Sequence, residues 1–188
     1  MLVLASQSPR RSELLRQAGL PFIVRIPGIV ESRLSAESPQ EYVRRLAVAK
    51  ARAVAADPAE FVLAADTVVV CAGEVLEKPR SIDDAARMLR LLSGRPHTVL
   101  TGVCLLHAGV ERAEVEATRV VFTPMTKEEV LAYTSSGEPM DKAGAYAIQG
   151  RASKFIERIE GCYFNVVGLP VALVYRLLKA AGYGCDQG

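Results

Sequence analysis

The apolar residues of this chain fall into two rhythms. Leu2-Val3-Leu4 and Phe61-Val62-Leu63-Ala64-Ala65 are short unbroken runs, the pattern of buried strands, and residues 21–26 (PFIVRI) read as another short strand, broken off by Pro27 and Gly28. Elsewhere apolar positions recur at spacings of three and four. Leu14, Leu15 and Ala18 mark a helix opened by Ser8 and Pro9 and closed at Gly19. Val43, Leu46, Ala47 and Val54 mark a second, opened by the capping box of Ser38, Pro39 and Glu41 and running to about residue 56. Ser81-x-x-Asp84 opens a third, with Ala85, Met88, Leu89 and Leu92 on its inner face and Gly94 as its stop. Thr126-x-x-Glu129 opens a short fourth carrying Val130, Leu131 and Tyr133. The last is striped by Val171, Val174, Leu177, Leu178 and Ala181 and ended by Gly182, after which residues 183–188 are expected to fray. Between these helices, residues 98–106 and 110–122 face each other across a turn at Ala108-Gly109. In the second of them Val115, Ala117, Arg119 and Val121 alternate with Glu114, Glu116, Thr118 and Val120, the mark of an antiparallel strand with one wet face, and residues 155–159 give one more strand. The pattern predicts an α/β fold in a single domain, residues 1–188, with room for two lobes.

Three polar features interrupt this pattern. Ser6-Gln7-Ser8-Pro9-Arg10-Arg11 places two cations in the first turn of a helix, where the macrodipole is already positive and each charge costs roughly 0.3–1 kcal/mol. A strand, a hydroxyl-rich turn and paired arginines at a helix start either seat an anion or leave two solvated arginines. Lys50 falls inside the apolar stripe of the second helix, four residues from both Leu46 and Val54. Its ammonium either snorkels outward or meets a buried anion, since an unpaired charge there costs several kcal/mol. The run 61–65 stops at Asp66-Thr67 before Val68-Val69-Val70 resumes. A carboxylate at the carboxyl end of a central strand stands where open α/β sheets place ligands, or else caps a backbone turn. Residues 31–37 form a polar surface loop, and Gly137-Glu138-Pro139, Asp141-Lys142, Gly144 and Gln149-Gly150 make a dense polar loop that is either a site or an exposed connector.

Composition narrows the chemistry. The chain has 188 residues, 50% hydrophobic and 23% charged, enough for a sizeable core and too apolar for disorder. A net charge of +2 leaves no broad electrostatic footprint for nucleic acid, and the six tyrosines, five phenylalanines and absent tryptophan offer few stacking platforms. The four cysteines, Cys71, Cys104, Cys162 and Cys185, form no C-x-x-C pair and no cluster with His97 or His107. Zinc and a disulfide scaffold are not indicated, and a reducing cytoplasm is the expected setting. No signal-like leader or membrane-length apolar run is present.

What remains are local cations, Arg10, Arg11, Lys50, Lys78 and Lys142, and candidate metal-binding carboxylates, Glu31, Asp66, Glu138 and Asp141. That set suits a polyphosphate held by Lys and Arg together with a divalent cation. Neither G-x-x-x-x-G-K-[ST] nor G-x-G-x-x-G occurs, and no Ser-His-Asp arrangement is evident. A metal- or carboxylate-activated water is then the expected nucleophile.

These residues recur in a known pattern. The chain resembles the Maf family of nucleoside triphosphate pyrophosphatases, the septum-formation-inhibitor proteins, over nearly its whole length. The likeness is carried by Ser6–Arg11, Glu31, Lys50-Ala51-Arg52, Ala65-Asp66-Thr67, Glu77-Lys78-Pro79-Arg80, residues 141–146 (DKAGAY), Ile148-Gln149-Gly150 and residues 165–170 (NVVGLP). The resemblance implies an elongated, two-lobed α/β domain with a mixed twisted sheet, flanking helices and a deep central cleft, similar to the inosine triphosphate pyrophosphatases. It implies hydrolysis between the α and β phosphates, giving a monophosphate and pyrophosphate. Asp66 would be the general base; Ser8, Arg10, Arg11, Lys50 and Lys78 would hold the triphosphate; Glu31 and Asp66 would bind a divalent metal, Mg²⁺ or Mn²⁺. Thr67 and Gln149 match the subgroup acting on dTTP and UTP, whereas the subgroup acting on 7-methyl-GTP tends to carry Gln and Glu there. A Gln side chain offers a donor and an acceptor to the O4/N3–H edge of a pyrimidine.

Two positions depart from the family pattern. Arg151-Ala152-Ser153-Lys154 replaces a glycine-rich run, which would stiffen that loop, and Cys162 stands where serine is usual. The expected partner is a small nucleotide, with no nucleic acid and no membrane; a homodimer is left open. The same reading leaves two rivals: a nucleotide-binding regulator of cell division without turnover, and a nucleic-acid-binding module, which the small net charge disfavours.

Overall fold

The structure, a computed structural model, describes residues 1–184. Two features of the first strands decide where chemistry can sit. Strand β1 (Leu2–Ala5) is buried at every residue and lies parallel to both of its neighbours, β2 (Ile23–Arg25) and β3 (Phe61–Cys71). The register runs Leu2 opposite Phe61 to Ala5 opposite Ala64, and there the parallel ladder stops while β3 continues. Asp66 is therefore inside an eleven-residue strand, whereas the break in apolar character predicts that the strand ends there. The sequence signal, Asp66, stands two residues beyond Ala64, the last residue of β3 paired with β1. Residues 185–188, the distal part of the tail expected to fray, and with them Cys185, lie outside the described residues.

The sheet has seven strands in the order β2-β1-β3-β5-β6-β7, with β4 (Glu74–Leu76) added antiparallel to β3. β5 (Pro96–His107) and β6 (Val110–Phe122) are the long pair expected from the sequence, and β7 (Ile156–Glu160) pairs antiparallel with β6. Both tight turns, Ala72-Gly73 and Ala108-Gly109, have positive φ at both residues, the geometry that matches the twist of a hairpin. In β6 the deeply buried positions are Thr118, Val120 and Phe122, while Ala117 and Arg119 face solvent, so the wet face carries the alanine and arginine.

The helices start where their caps direct. In α2 (Pro39–Val54) the Ser38 hydroxyl accepts from the Glu41 N–H and the Glu41 carboxylate accepts from the Ser38 N–H; α4 (Lys127–Thr134) repeats the box with Thr126 and Glu129. In α3 (Ile82–Leu92) the Ser81 hydroxyl accepts from the Asp84 N–H. Of the apolar residues carried by α4, Leu131 is half exposed, while Val130 and Tyr133 are buried together with Thr134. Helix α1 (Pro9–Gln17) starts after Ser8, but the Ser8 hydroxyl makes no capping bond. A short helix that the sequence pattern does not announce, α5 (Tyr163–Val167), precedes α6 (Val171–Ala180). Among the described residues no helix is long and apolar enough to cross a membrane.

The chain divides into two compact units: Met1–Asp66, Thr101–Glu116 and the chain from Gly168 onward make one, Thr67–Leu100 and Ala117–Val167 the other. In the first, Val3, Ala5, Val62, Ala64 and Cys104 pack against Ala47 and Ala51 of α2. Small residues on both sides let the helix lie close to the strands. Gly102 of β5 meets it most closely: a Cβ there would collide with the Val43 carbonyl and the Arg44 nitrogen, which are backbone and cannot swing away. Gly102→Ala is expected to force α2 off the sheet and to lower stability by about 1–3 kcal/mol, read from the urea midpoint. The second unit is centred on Val69, Leu76, Leu89, Leu92, Val120, Phe122 and Phe155.

Candidate active site

Helix α2 presents Val43, Leu46, Ala47, Lys50 and Ala51 to the sheet, so the aliphatic stem of Lys50 is buried with its neighbours and only 7% of its side chain is exposed. Its ammonium does not snorkel. Lys50 Nζ donates to Asp66 Oδ1 at 2.6 Å and lies 2.9 Å from Glu31 Oε1. Of the two readings the helix pattern leaves open, the buried anion holds, and it is a carboxylate of the chain itself. Asp66 is 9% exposed at its side chain, whereas Glu31, on the loop before α2, is 45% exposed. One partner of the ammonium is fixed in the interior and the other reaches it from solvent.

Arg11 lies close enough to this group to feel the charges of Asp66 and Glu31. Its Nε donates to the Gly168 carbonyl at 2.9 Å and its Nη1 to the Ala65 carbonyl at 2.7 Å, with Ser6 Oγ at 3.4 Å from Nη1. The guanidinium therefore ties the residue before Asp66 to the segment leading into α6. Ser6 is buried, and its hydroxyl also accepts the Ser8 N–H at 3.1 Å. Ser8 and Arg10 are half buried at the start of α1, where the first-turn amides carry no side-chain cap and add a positive dipole end.

The electrostatics follow from burial. Desolvation pushes the Asp66 carboxyl above its ordinary range; Lys50 and Arg11 pull it back and Glu31 adds to the rise, leaving a net upward shift. Burial lowers the Arg11 pKa, against the pull of Asp66. An interior carboxylate that holds its proton more tightly than usual, beside a cation able to favour its release, can pass protons to and from water.

The structure brings Arg11, Glu31, Lys50 and Asp66 together. Thr67 follows Asp66 in β3 but belongs to the second unit, as do Lys78, exposed after β4, and Gln149, exposed in a turn before the 3₁₀ segment Arg151–Phe155. Within that unit the dense polar loop is braced from inside. The Glu138 carboxylate accepts from Tyr133 Oη at 2.8 Å and from the Arg151 N–H at 3.1 Å, so the stretch that departs from a glycine-rich run is helical and anchored. Lys142 Nζ is bound to the Glu138 carbonyl and to Asp141, and Tyr146 Oη meets His97 Nε2 at 2.9 Å. Thr118 Oγ1 accepts the Cys162 N–H and donates to the Cys162 carbonyl, each at 3.1 Å, and it also accepts from Asn165 Nδ2 at 3.0 Å. That turn is held through backbone atoms, which explains how cysteine can stand in place of serine. The roles of Thr118 and of the Gly168 carbonyl have no local sequence signal, because each depends on a partner far away in the chain.

The full-length pattern has relatives. The profile of the family described as Maf-like protein matches residues 1–181. The dTTP/UTP pyrophosphatase of Koribacter versatilis is 55% identical over 182 residues, 96% of this chain and 94% of the relative. That of Symbiobacterium thermophilum is 52% identical over 188 residues, 100% of this chain and 97% of the relative. Among solved structures, the Staphylococcus aureus Ham1 protein has a TM-score of 0.52 at 14% identity and covers 95% of this chain and 98% of its own. A HAM1 protein from Coxiella burnetii has a TM-score of 0.52 at 16% identity, covering 96% and 98%. At that identity the likeness is one of fold.

Proposed function

Since the chain belongs to the Maf-like family, we propose that it is a nucleoside triphosphate pyrophosphatase that hydrolyses dTTP and UTP to the monophosphate and pyrophosphate. The observation that carries the mechanism is the buried pair of Lys50 and Asp66, with Glu31 on the same ammonium. Asp66 takes the proton of the attacking water on a carboxylate oxygen. The water oxygen forms a bond to phosphorus as the bond between the α- and β-phosphoryl groups breaks, and pyrophosphate leaves. Lys50 favours the ionised form of Asp66 against the desolvation that opposes it, and turns part of its charge to phosphate oxygens once a triphosphate enters. Ser8, Arg10, Lys78 and the first-turn amides of α1 are the proposed phosphate contacts. Arg11 gives one Nε and one Nη1 hydrogen to the Gly168 and Ala65 carbonyls, two of the five donors of a guanidinium. Its proposed part includes fixing the backbone next to Asp66, alongside the triphosphate contact that the resemblance implies. Thr67 and Gln149 are assigned to the pyrimidine base. Residues 1–188 are taken as one functional domain acting on the cytoplasmic nucleotide pool.

A divalent cation, Mg²⁺ or Mn²⁺, fits the donor set in one specific sense. Glu31 and Asp66 supply two hard carboxylates, which suffices for Mg²⁺ when phosphates and water fill the other positions. Among the described residues there is no group of three or more acidic, histidine or cysteine side chains that could hold the ion alone. Bound with the substrate, the cation would neutralise charge on the phosphate oxygens.

The test is a screen of nucleoside triphosphates with Mg²⁺, reading pyrophosphate. Rates on dTTP and UTP are expected to exceed those on ATP and GTP by about tenfold or more. Equal rates on purines would contradict the assignment of the base, and absence of pyrophosphate from every nucleotide would contradict the activity.

A further inference from the structure

Residues 26–38 contain no helix or strand, and Val30, beside Glu31, is 86% exposed. Core packing does not hold Glu31 over Lys50. A fastening is nevertheless present on α2. Arg45 Nε donates to Glu37 Oε1 at 2.6 Å, and its Nη2 donates both to Glu37 Oε2 at 2.9 Å and to the Ser32 carbonyl at 2.9 Å. The guanidinium also lies over the buried Tyr42 ring, 5.6 Å from its centroid, and Glu37 is only 8% exposed at its side chain. Two further contacts, Arg33 to the Glu37 carbonyl and the Leu34 N–H to Glu37 Oε2, close the loop on itself. Arg45 fastens that closed loop to the helix that carries Lys50.

We propose that Arg45 is a positioning residue: its grip on the Ser32 carbonyl, one peptide bond from Glu31, sets the Glu31 carboxylate at the reaction site. It touches no reacting atom. The geometry calls for arginine in particular, because a planar fork can bind a carboxylate with two nitrogens and still reach a carbonyl, whereas a lysine ammonium keeps one of these at a time. The inference rests on the proposed role of Glu31 at the metal, where loss of an orienting partner typically costs 10–100-fold in affinity or activity.

Two readouts test it on the full chain. Amide hydrogen exchange of residues 29–34 without substrate is expected to speed up by about tenfold or more in Arg45→Ala and Arg45→Lys, and to stay near wild type in Glu31→Gln. In the pyrophosphate assay, Arg45→Ala is expected to raise the Mg²⁺ concentration for half-maximal rate by about tenfold or more, to the level of Glu31→Gln, and the double variant is expected to be no worse than Glu31→Gln alone. Wild-type exchange in Arg45→Ala, or full additivity of the two substitutions, would overturn the proposal. A wild-type protein without pyrophosphate release would instead count against the proposed function, and the exchange measurement would still decide whether Arg45 orders the loop.

Discussion

Asp66→Asn is expected to lower the rate of pyrophosphate release from dTTP by about 10²–10⁴-fold, the usual contribution of a positioned general base. Asparagine keeps the shape of the side chain and can still accept from Lys50 Nζ, now 2.6 Å from Asp66 Oδ1, so KM should change much less than kcat. The pH dependence carries the second half of the prediction. Burial raises the Asp66 pKa, and the base works only when ionised. Wild-type kcat/KM should therefore rise with pH along an acid limb lying above the ordinary carboxylate range, and the residual rate of Asp66→Asn should lack that limb. A pH profile of both proteins checks it, with thermal melts showing that the variant is folded.

Lys50→Met should have the next largest effect, and it separates stability from catalysis. Methionine follows the course of the lysine stem through the apolar stripe but removes the charge. Breaking a buried pair by deleting one partner costs about 3–5 kcal/mol, unless the remaining group takes up a proton. The folded-state pKa of Asp66 already lies above its unfolded value of 3.8. Its stabilising contribution is thus fully present below the unfolded pKa and is lost as pH rises through the folded one. Without Lys50 the folded pKa climbs further, and the loss extends to higher pH. Urea denaturation should show the variant close to wild type in acid and clearly weaker in mild alkali, while the acid limb of its activity moves upward. Equal destabilisation at both ends of the range would mean that methionine packs badly and that the charge is not the cause.

Much of this molecule was legible because much of it is local. Capping boxes at Ser38 and Thr126, the Ala108-Gly109 turn and the unbroken run at residues 61–65 carry their own instructions within a few residues, and each element formed where they point. Lys50 in an apolar stripe was a conflict visible at once, and its resolution in a buried ion pair is what the cost of an unpaired charge demands. What escaped depends on distant partners. Asp66 looked like a strand end because the parallel ladder with β1 stops at Ala64, yet β3 runs on to Cys71. The five-residue α5 is too short to show a period. Ser8 resembles a cap, but its hydroxyl makes no capping bond. Arg11 and Arg10 are indistinguishable as letters; that Arg11 also holds the Ala65 and Gly168 carbonyls depends on partners far away in the chain. Arg45 gave no signal at all, being one more arginine in a helix rich in them.

In the proposed reaction Asp66, held by Lys50 in the interior of the first unit, drives cleavage of a nucleoside triphosphate between its α and β phosphates. Phosphorus NMR of dTTP incubated with Mg²⁺ and either the wild type or Asp66→Asn tests it directly. The expected result is dTMP and pyrophosphate growing together with the wild type and almost unchanged dTTP with the variant. The appearance of dTDP and inorganic phosphate, or equal pyrophosphate from both proteins, would contradict it.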